Sequence, residues 1–189
     1  MVKWLGLLLL IPLLLHAADE DPVWSKPVQG MRARLCFMPV HKPGLDDRYQ
    51  VYLQFENVGV TGSQGSLPEA KSFQYSESDD VALGVTDANK QKVNVTDPEI
   101  GQEGICVWNL LLPPGGYLSL PVGWIYSDWS LHILPFQNWD LTRIGPARPH
   151  YLSGTFTSKF PQTNPPHNGD VRLNWEGTLE LPPIEIPVK

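Results

Sequence analysis

The chain has 189 residues, with 14 Lys and Arg against 20 Asp and Glu, and so a net charge of −6 at pH 7. An acidic chain lacks the basic face that sequence-independent binding to nucleic acid needs, and no nucleic-acid partner is expected. Its 19 prolines and 16 glycines stand between apolar runs and not in one block, which marks the punctuation of short strands and not disorder.

Residues 1–17 read as a secretory signal peptide. Lys3 supplies the positive start, residues 5–15 are apolar apart from Gly6 and Pro12, and Leu15-His16-Ala17 places a small residue before Ala18. Cleavage is expected after Ala17, or alternatively after Ala18. As a helix this apolar run would cover roughly half of a bilayer core of about 30 Å, so it is too short for an anchor. No later apolar run is long enough to span a membrane. The mature protein is expected to be secreted or periplasmic. Residues 18–30 form a polar N-terminal arm with Pro22 and Pro27, which Trp24 is expected to pin to the domain.

Residues 31–189 are expected to form one domain, a size that suits a single substantial core. In 31–38, Met31, Ala33, Leu35 and Phe37 take one face of a strand, leaving Cys36 with Arg32 and Arg34 on the other. Residues 49–57 give the cleanest alternation, with Val51, Leu53 and Phe55 against Tyr52, Gln54 and Glu56. A short strand is expected in 70–75. Residues 80–86 and 90–95 flank Asp87-Ala88-Asn89 as a hairpin. Residues 105–112 form a strongly apolar strand. Pro113-Pro114-Gly115-Gly116 is the strongest turn signal, and 117–122 alternate again through Leu118 and Leu120. Residues 123–147 show little clean period but hold Trp124, Tyr126, Trp129, Phe136 and Trp139. Two alternating runs in 149–160 and 171–188 then close the chain as a hairpin around the loop 161–170. Roughly eight to ten short runs, with no amphipathic helix of convincing length, predict an all-β fold: an antiparallel immunoglobulin-like β-sandwich with Greek-key connections.

Three stretches resemble elements of secreted bacterial immunoglobulin-like domains. They are Tyr52-Leu53-Gln54-Phe55-Glu56-Asn57-Val58, Leu112-Pro113-Pro114-Gly115-Gly116-Tyr117-Leu118-Ser119-Leu120, and Tyr151-Leu152-Ser153-Gly154-Thr155-Phe156 followed by Trp175-Glu176-Gly177-Thr178-Leu179. The resemblance covers most of the mature chain and implies architecture, not activity. The aromatic insertion at 123–147 and the two cysteines depart from the family pattern.

Few constellations carry chemistry. Cys36 and Cys106, the two cysteines of an exported chain, permit one disulfide, which would stabilise by about 4 kcal/mol in the chain-entropy model; two separate thiols are the alternative. They are far apart with no Cys-x-x-Cys, so a redox pair is not expected. His41, His132, His150 and His167 show no metal-ligand spacing. No nucleophile elbow is present. Gly62-Ser63-Gln64-Gly65-Ser66 leads into no helix, and so is a loop and not a phosphate cradle. Asp46-Asp47, Asp79-Asp80 and Glu176 with Glu180 are acidic pairs of the kind that solvation explains. Asn94-Val95-Thr96 fits a glycosylation acceptor. No cofactor or metal is implied. The expected role is therefore non-catalytic: an interaction or accessory module that binds a protein or a polysaccharide. Trp124, Tyr126 and Trp129 are the candidate binding residues, because exposed rings stack on sugars or anchor a partner. A carbohydrate-binding module built on those rings is one alternative. A protease inhibitor presenting 58–68 or 161–170 as its inserted loop is another.

Overall fold

Alternation through Val51, Leu53 and Phe55 makes Asp47–Asn57 the strand on which Met31–Pro39 and Tyr117–Tyr126 register from either side. The computed structural model describes residues 23–40, 47–59, 69–76, 80–95, 107–126, 128–134, 137–142, 149–159 and 174–187. The expected signal peptide, the loops 60–68 and 161–170, and Cys106 lie outside the described residues. In chain order the strands are β1 (Met31–Pro39), β2 (Asp47–Asn57), β3 (Lys71–Ser76), β4 (Val81–Asp87), β5 (Lys92–Val93), β6 (Val107–Leu112), β7 (Tyr117–Tyr126), β8 (Ser130–Ile133), β9 (Gln137–Asp140), β10 (His150–Ser158) and β11 (Gly177–Glu185). No helix occurs among the described residues.

All pairings between these strands are antiparallel. A five-stranded sheet has the order β1-β2-β7-β8-β9, a four-stranded sheet the order β11-β10-β4-β5, and β3 pairs with β6 in a two-stranded ribbon. The hairpins expected at 80–95 and at the C-terminus are β4–β5 and β10–β11.

Burial follows the two-residue period in β1, β4, β10 and β11, and in β2 apart from the buried Gln54. Met31, Ala33 and Leu35 of β1 and Val51, Leu53 and Phe55 of β2 are buried, as are Leu83 and Val85 of β4, Leu152 and Phe156 of β10, and Leu179 and Leu181 of β11. These inward faces form one apolar core with a sandwich-like arrangement. An aromatic knot crosses its centre. Phe55 of the five-stranded sheet meets Phe156 of the four-stranded sheet at 4.7 Å between ring centroids, and Phe73 of the ribbon lies 5.2 Å from Phe55. Trp175 lies parallel to Phe156 and edge-on to Phe73.

Polar residues fasten the periphery of the core. Asn57 is fully buried, and its amide donates to the carbonyls of Glu69 (2.9 Å) and Leu112 (3.0 Å) while its Oδ1 accepts from Gly59 N (3.0 Å). It therefore ties the end of β2 to the turn between β6 and β7, where Gly115 takes a left-handed φ of 69°. That turn is a crossover from ribbon to sheet, since β6 and β7 do not pair. The arm expected to be pinned by Trp24 packs on the edge of β1: Ser25 N donates to Ala33 O at 2.8 Å, and Ala33 N donates to Ser25 Oγ at 3.0 Å. The guanidiniums of Arg32 and Arg34 lie 4.7 and 4.4 Å from the centroid of the Trp24 ring, and reach across to Glu56 and Gln54 of β2.

Candidate functional site

The aromatic segment is more regular than its sequence suggests. β7 runs on to Tyr126, then β8 and β9 complete the edge of the five-stranded sheet. In the β7–β8 hairpin Ile125, Leu131 and Ile133 are buried, whereas Trp124, Tyr126, Ser130 and His132 are half-buried on the alternate positions. Trp124 and His132 are directly opposed; their rings lie within 3° of parallel with centroids 6.0 Å apart. Tyr126 stands edge-on to both, at 5.8 Å from Trp124 and 4.6 Å from His132.

Trp129 is not part of this group. It sits in the turn with a left-handed φ of 65°, packs against the core, and carries the Arg48 guanidinium 4.2 Å from its ring centroid. Only a few per cent of non-glycine residues adopt such a φ, and Asp128 holds the backbone there. Its Oδ1 accepts from both the N–H (2.9 Å) and the hydroxyl (2.6 Å) of Ser130. These bonds keep the Asp128 carboxyl below the ordinary carboxylate range.

A His–Ser–Asp chain results, since His132 Nε2 lies 3.1 Å from Ser130 Oγ. Its polarity is wrong for a nucleophile. The single hydroxyl proton of Ser130 goes to Asp128, so the hydroxyl can only accept from the imidazole N–H. The chain orients the His132 ring and does not activate the serine.

A sugar platform needs free ring faces side by side. Here Tyr126 is edge-on to its neighbours, Arg48 covers one face of Trp129, and all three candidate rings are half-buried. The Trp124 Nε1–H is buried and meets no acceptor among the described residues, so this donor is not turned outward to a ligand. Trp124 and Tyr126 are thus brought together, but as a packed cluster.

The surface that the sequence reading missed is β6, Val107-Trp108-Asn109-Leu110-Leu111-Leu112. A strongly apolar run reads as a buried strand, yet Val107, Trp108 and Leu111 are 50%, 44% and 60% exposed. Among the described residues β6 pairs with β3 alone. The far side of β3 is occupied, because the N–H groups of Asn174 and Trp175 both donate to Ser72 O (3.0 Å) and Ser158 Oγ donates to Gln74 O (2.9 Å). The other sheet edges carry ordinary protection against strand addition. The arm bonds the first half of β1 at Met31 and Ala33, β5 has two residues including Lys92, β9 ends on Asp140, and β11 carries Glu180, Pro182 and Pro183. β6 has no charge and no proline. The signal available in the sequence is that absence, in a run with no polar alternate face.

The remaining candidates separate. Cys36 is a free, half-buried thiol, pushed up by burial against the pull of the Arg34 guanidinium; its suggested partner Cys106 lies outside the described residues. His150 is buried in β10, while His41 and His167 lie outside the described residues. Among the described residues no group of three or more His, Cys, Asp or Glu could hold a metal ion. No helix among them is long and apolar enough to cross a membrane. No family model, no curated protein and no solved structure matches this chain.

Proposed function

We propose that this chain is an exported, non-catalytic, immunoglobulin-like β-sandwich protein that works by binding, with the edge of β6 as its binding element. The observation that carries this reading is the exposure of Val107, Trp108 and Leu111 on an uncharged strand that, among the described residues, is paired on one side. A strand in that condition is a template for another extended segment: main-chain hydrogen bonds supply affinity and alternate side chains supply selectivity. The sheet orders, in which β2 neighbours β7 and β10 neighbours β4, support Greek-key connections. The polysaccharide alternative is weakened by the mutual packing of Trp124, Tyr126 and His132. The inhibitor alternative rests on the loops 58–68 and 161–170, which apart from Val58 and Gly59 lie outside the described residues. Secretion or periplasmic export rests on the leader pattern of residues 1–17.

Binding at β6 is tested with fluorescein-labelled peptides about seven residues long, uncharged and apolar at alternate positions. They should bind the wild-type chain and lose at least about tenfold in affinity on Leu111→Lys, a surface change that should leave stability within about 0.5 kcal/mol. Absence of peptide binding, together with β6 amides as slow to exchange as those of β2 in dilute solution, would show that the edge is closed. Export is tested separately by the N-terminus of protein recovered outside the cytoplasm, expected at Ala18 or Asp19. Recovery there with Met1 retained would overturn a cleaved leader.

A further inference from the structure

Given the reading of β6 as a binding edge, on which this step rests, we propose that its partner is a second copy of this chain, joined by antiparallel β6–β6 pairing about a two-fold axis at Asn109. A two-fold interface must be complementary to itself, and β6 meets that condition in one register. An axis normal to the sheet preserves the two faces, and opposed residues in a ladder share a face. Each residue must therefore face a partner residue of its own parity. Centred on Asn109, Val107 faces Leu111 of the second copy and Leu111 faces its Val107. On that same face the two Asn109 amides oppose each other across the axis, where a pair of amides can hydrogen-bond. On the other face Trp108 meets Leu110. Moving the axis to Leu110 sets Asn109 against Leu111 and leaves Val107 without its apolar partner. Moving it to Trp108 sets Val107 against Asn109. The chosen register is the one in which both exposed aliphatic residues face each other.

Two further features favour a second copy over an unrelated strand. The molecule is acidic, with a net charge of −6, but β6 itself is uncharged, so like copies meet there without repulsion between strands. Among the described residues the β3–β6 ribbon has two strands, and a two-stranded unit is at best marginal alone; pairing converts two ribbons into a four-stranded sheet, β3-β6-β6-β3. A contact of one short strand per copy falls below the roughly 1,200 Å² of a standard interface. The dimer is therefore of the weak, transient class.

Sedimentation velocity over a concentration series tests this with the full chain. Wild-type protein should shift from monomer to dimer across that range, and exchange at 107–112 should slow in parallel. Val107→Lys alone and Leu111→Glu alone should each weaken association at least about tenfold. The double variant should recover it, because each introduced ammonium then faces the introduced carboxylate of the second copy. Circular dichroism melts confirm that each variant is folded. A dimer unaffected by the single changes, or a double variant as dissociated as the singles, overturns the proposed pairing. A monomeric wild-type chain that still binds the extended peptides overturns self-pairing and leaves the edge reading standing. A monomer that binds neither overturns both.

Discussion

Replacing Trp175 with alanine is expected to cost about 3–5 kcal/mol of folding stability. Typical domains have only about 5–15 kcal/mol in total, so the variant should melt well below the wild type or fail to fold. Trp175 precedes β11 and is fully buried. It lies 6.1 Å from Phe156 and within 9° of parallel, and 5.9 Å from Phe73, edge-on. Truncation therefore opens a cavity where both principal sheets and the ribbon meet. A second loss is polar: Trp175 Nε1 donates to Val28 O at 2.9 Å, a bond that fastens the N-terminal arm to the core. Trp175→Phe separates the two. It keeps much of the ring burial and removes the donor, and should cost about 1–3 kcal/mol through the orphaned carbonyl and the smaller ring. Urea midpoints of the three proteins measure both steps. An alanine variant within about 1 kcal/mol of wild type would mean that the aromatic knot is not the centre of the fold.

The parts of this architecture that the sequence displays are those where alternation runs long enough to fix a phase. β2 is legible because Val51, Leu53 and Phe55 all point inward, and its ladder to β1 runs without a shift of register. Its ladder to β7 does shift, because the partner strand changes phase. Val51 faces Gly123 and Tyr52 faces Pro121, so Val122 is an extra residue. Burial in β7 accordingly switches from Leu120 and Val122 to Gly123 and Ile125. A period-two reading loses the strand at that point, which is why 123–147 shows so little period. β8 and β9 have four residues each, too few for a pattern to declare itself. The candidate site is obscured for a different reason. Hydropathy alone puts the aliphatic run of β6 in the interior, but exposure is set by how many elements flank a strand. Tyr75, at 1% exposure, neighbours Trp108 at 44%, because one strand of the ribbon lies against the core and the other lies at its edge.

Gly154→Ala and Gly84→Ala form a matched pair with opposite expected outcomes. Both glycines lie in central strands of the four-stranded sheet, β10 and β4, and neither has a left-handed φ. Backbone conformation therefore does not distinguish them, and space does. A Cβ on Gly154 would stand 2.0 Å from Ala82 O and 2.9 Å from Leu83 Cα, both backbone atoms of the neighbouring strand. These atoms cannot rotate away as a side chain does, so relief requires β4 and β10 to part, with loss of ladder hydrogen bonds on the way. The β10 register steps between Leu152 and Gly154 opposite β11, so the close approach to β4 sits beside an irregularity in the ladder. Overpacking usually costs about 1–3 kcal/mol; with broken ladder bonds at about 1 kcal/mol each, Gly154→Ala should exceed roughly 3 kcal/mol. A Cβ on Gly84 meets nothing within 4 Å. That variant should be neutral, or gain up to about 1 kcal/mol from the reduced freedom of the unfolded chain. Equilibrium urea denaturation of the two variants side by side measures the contrast. Equal midpoints would show that the sheet yields at Gly154, and that the glycine of the Ser153-Gly154-Thr155 element is not demanded by the approach of β4.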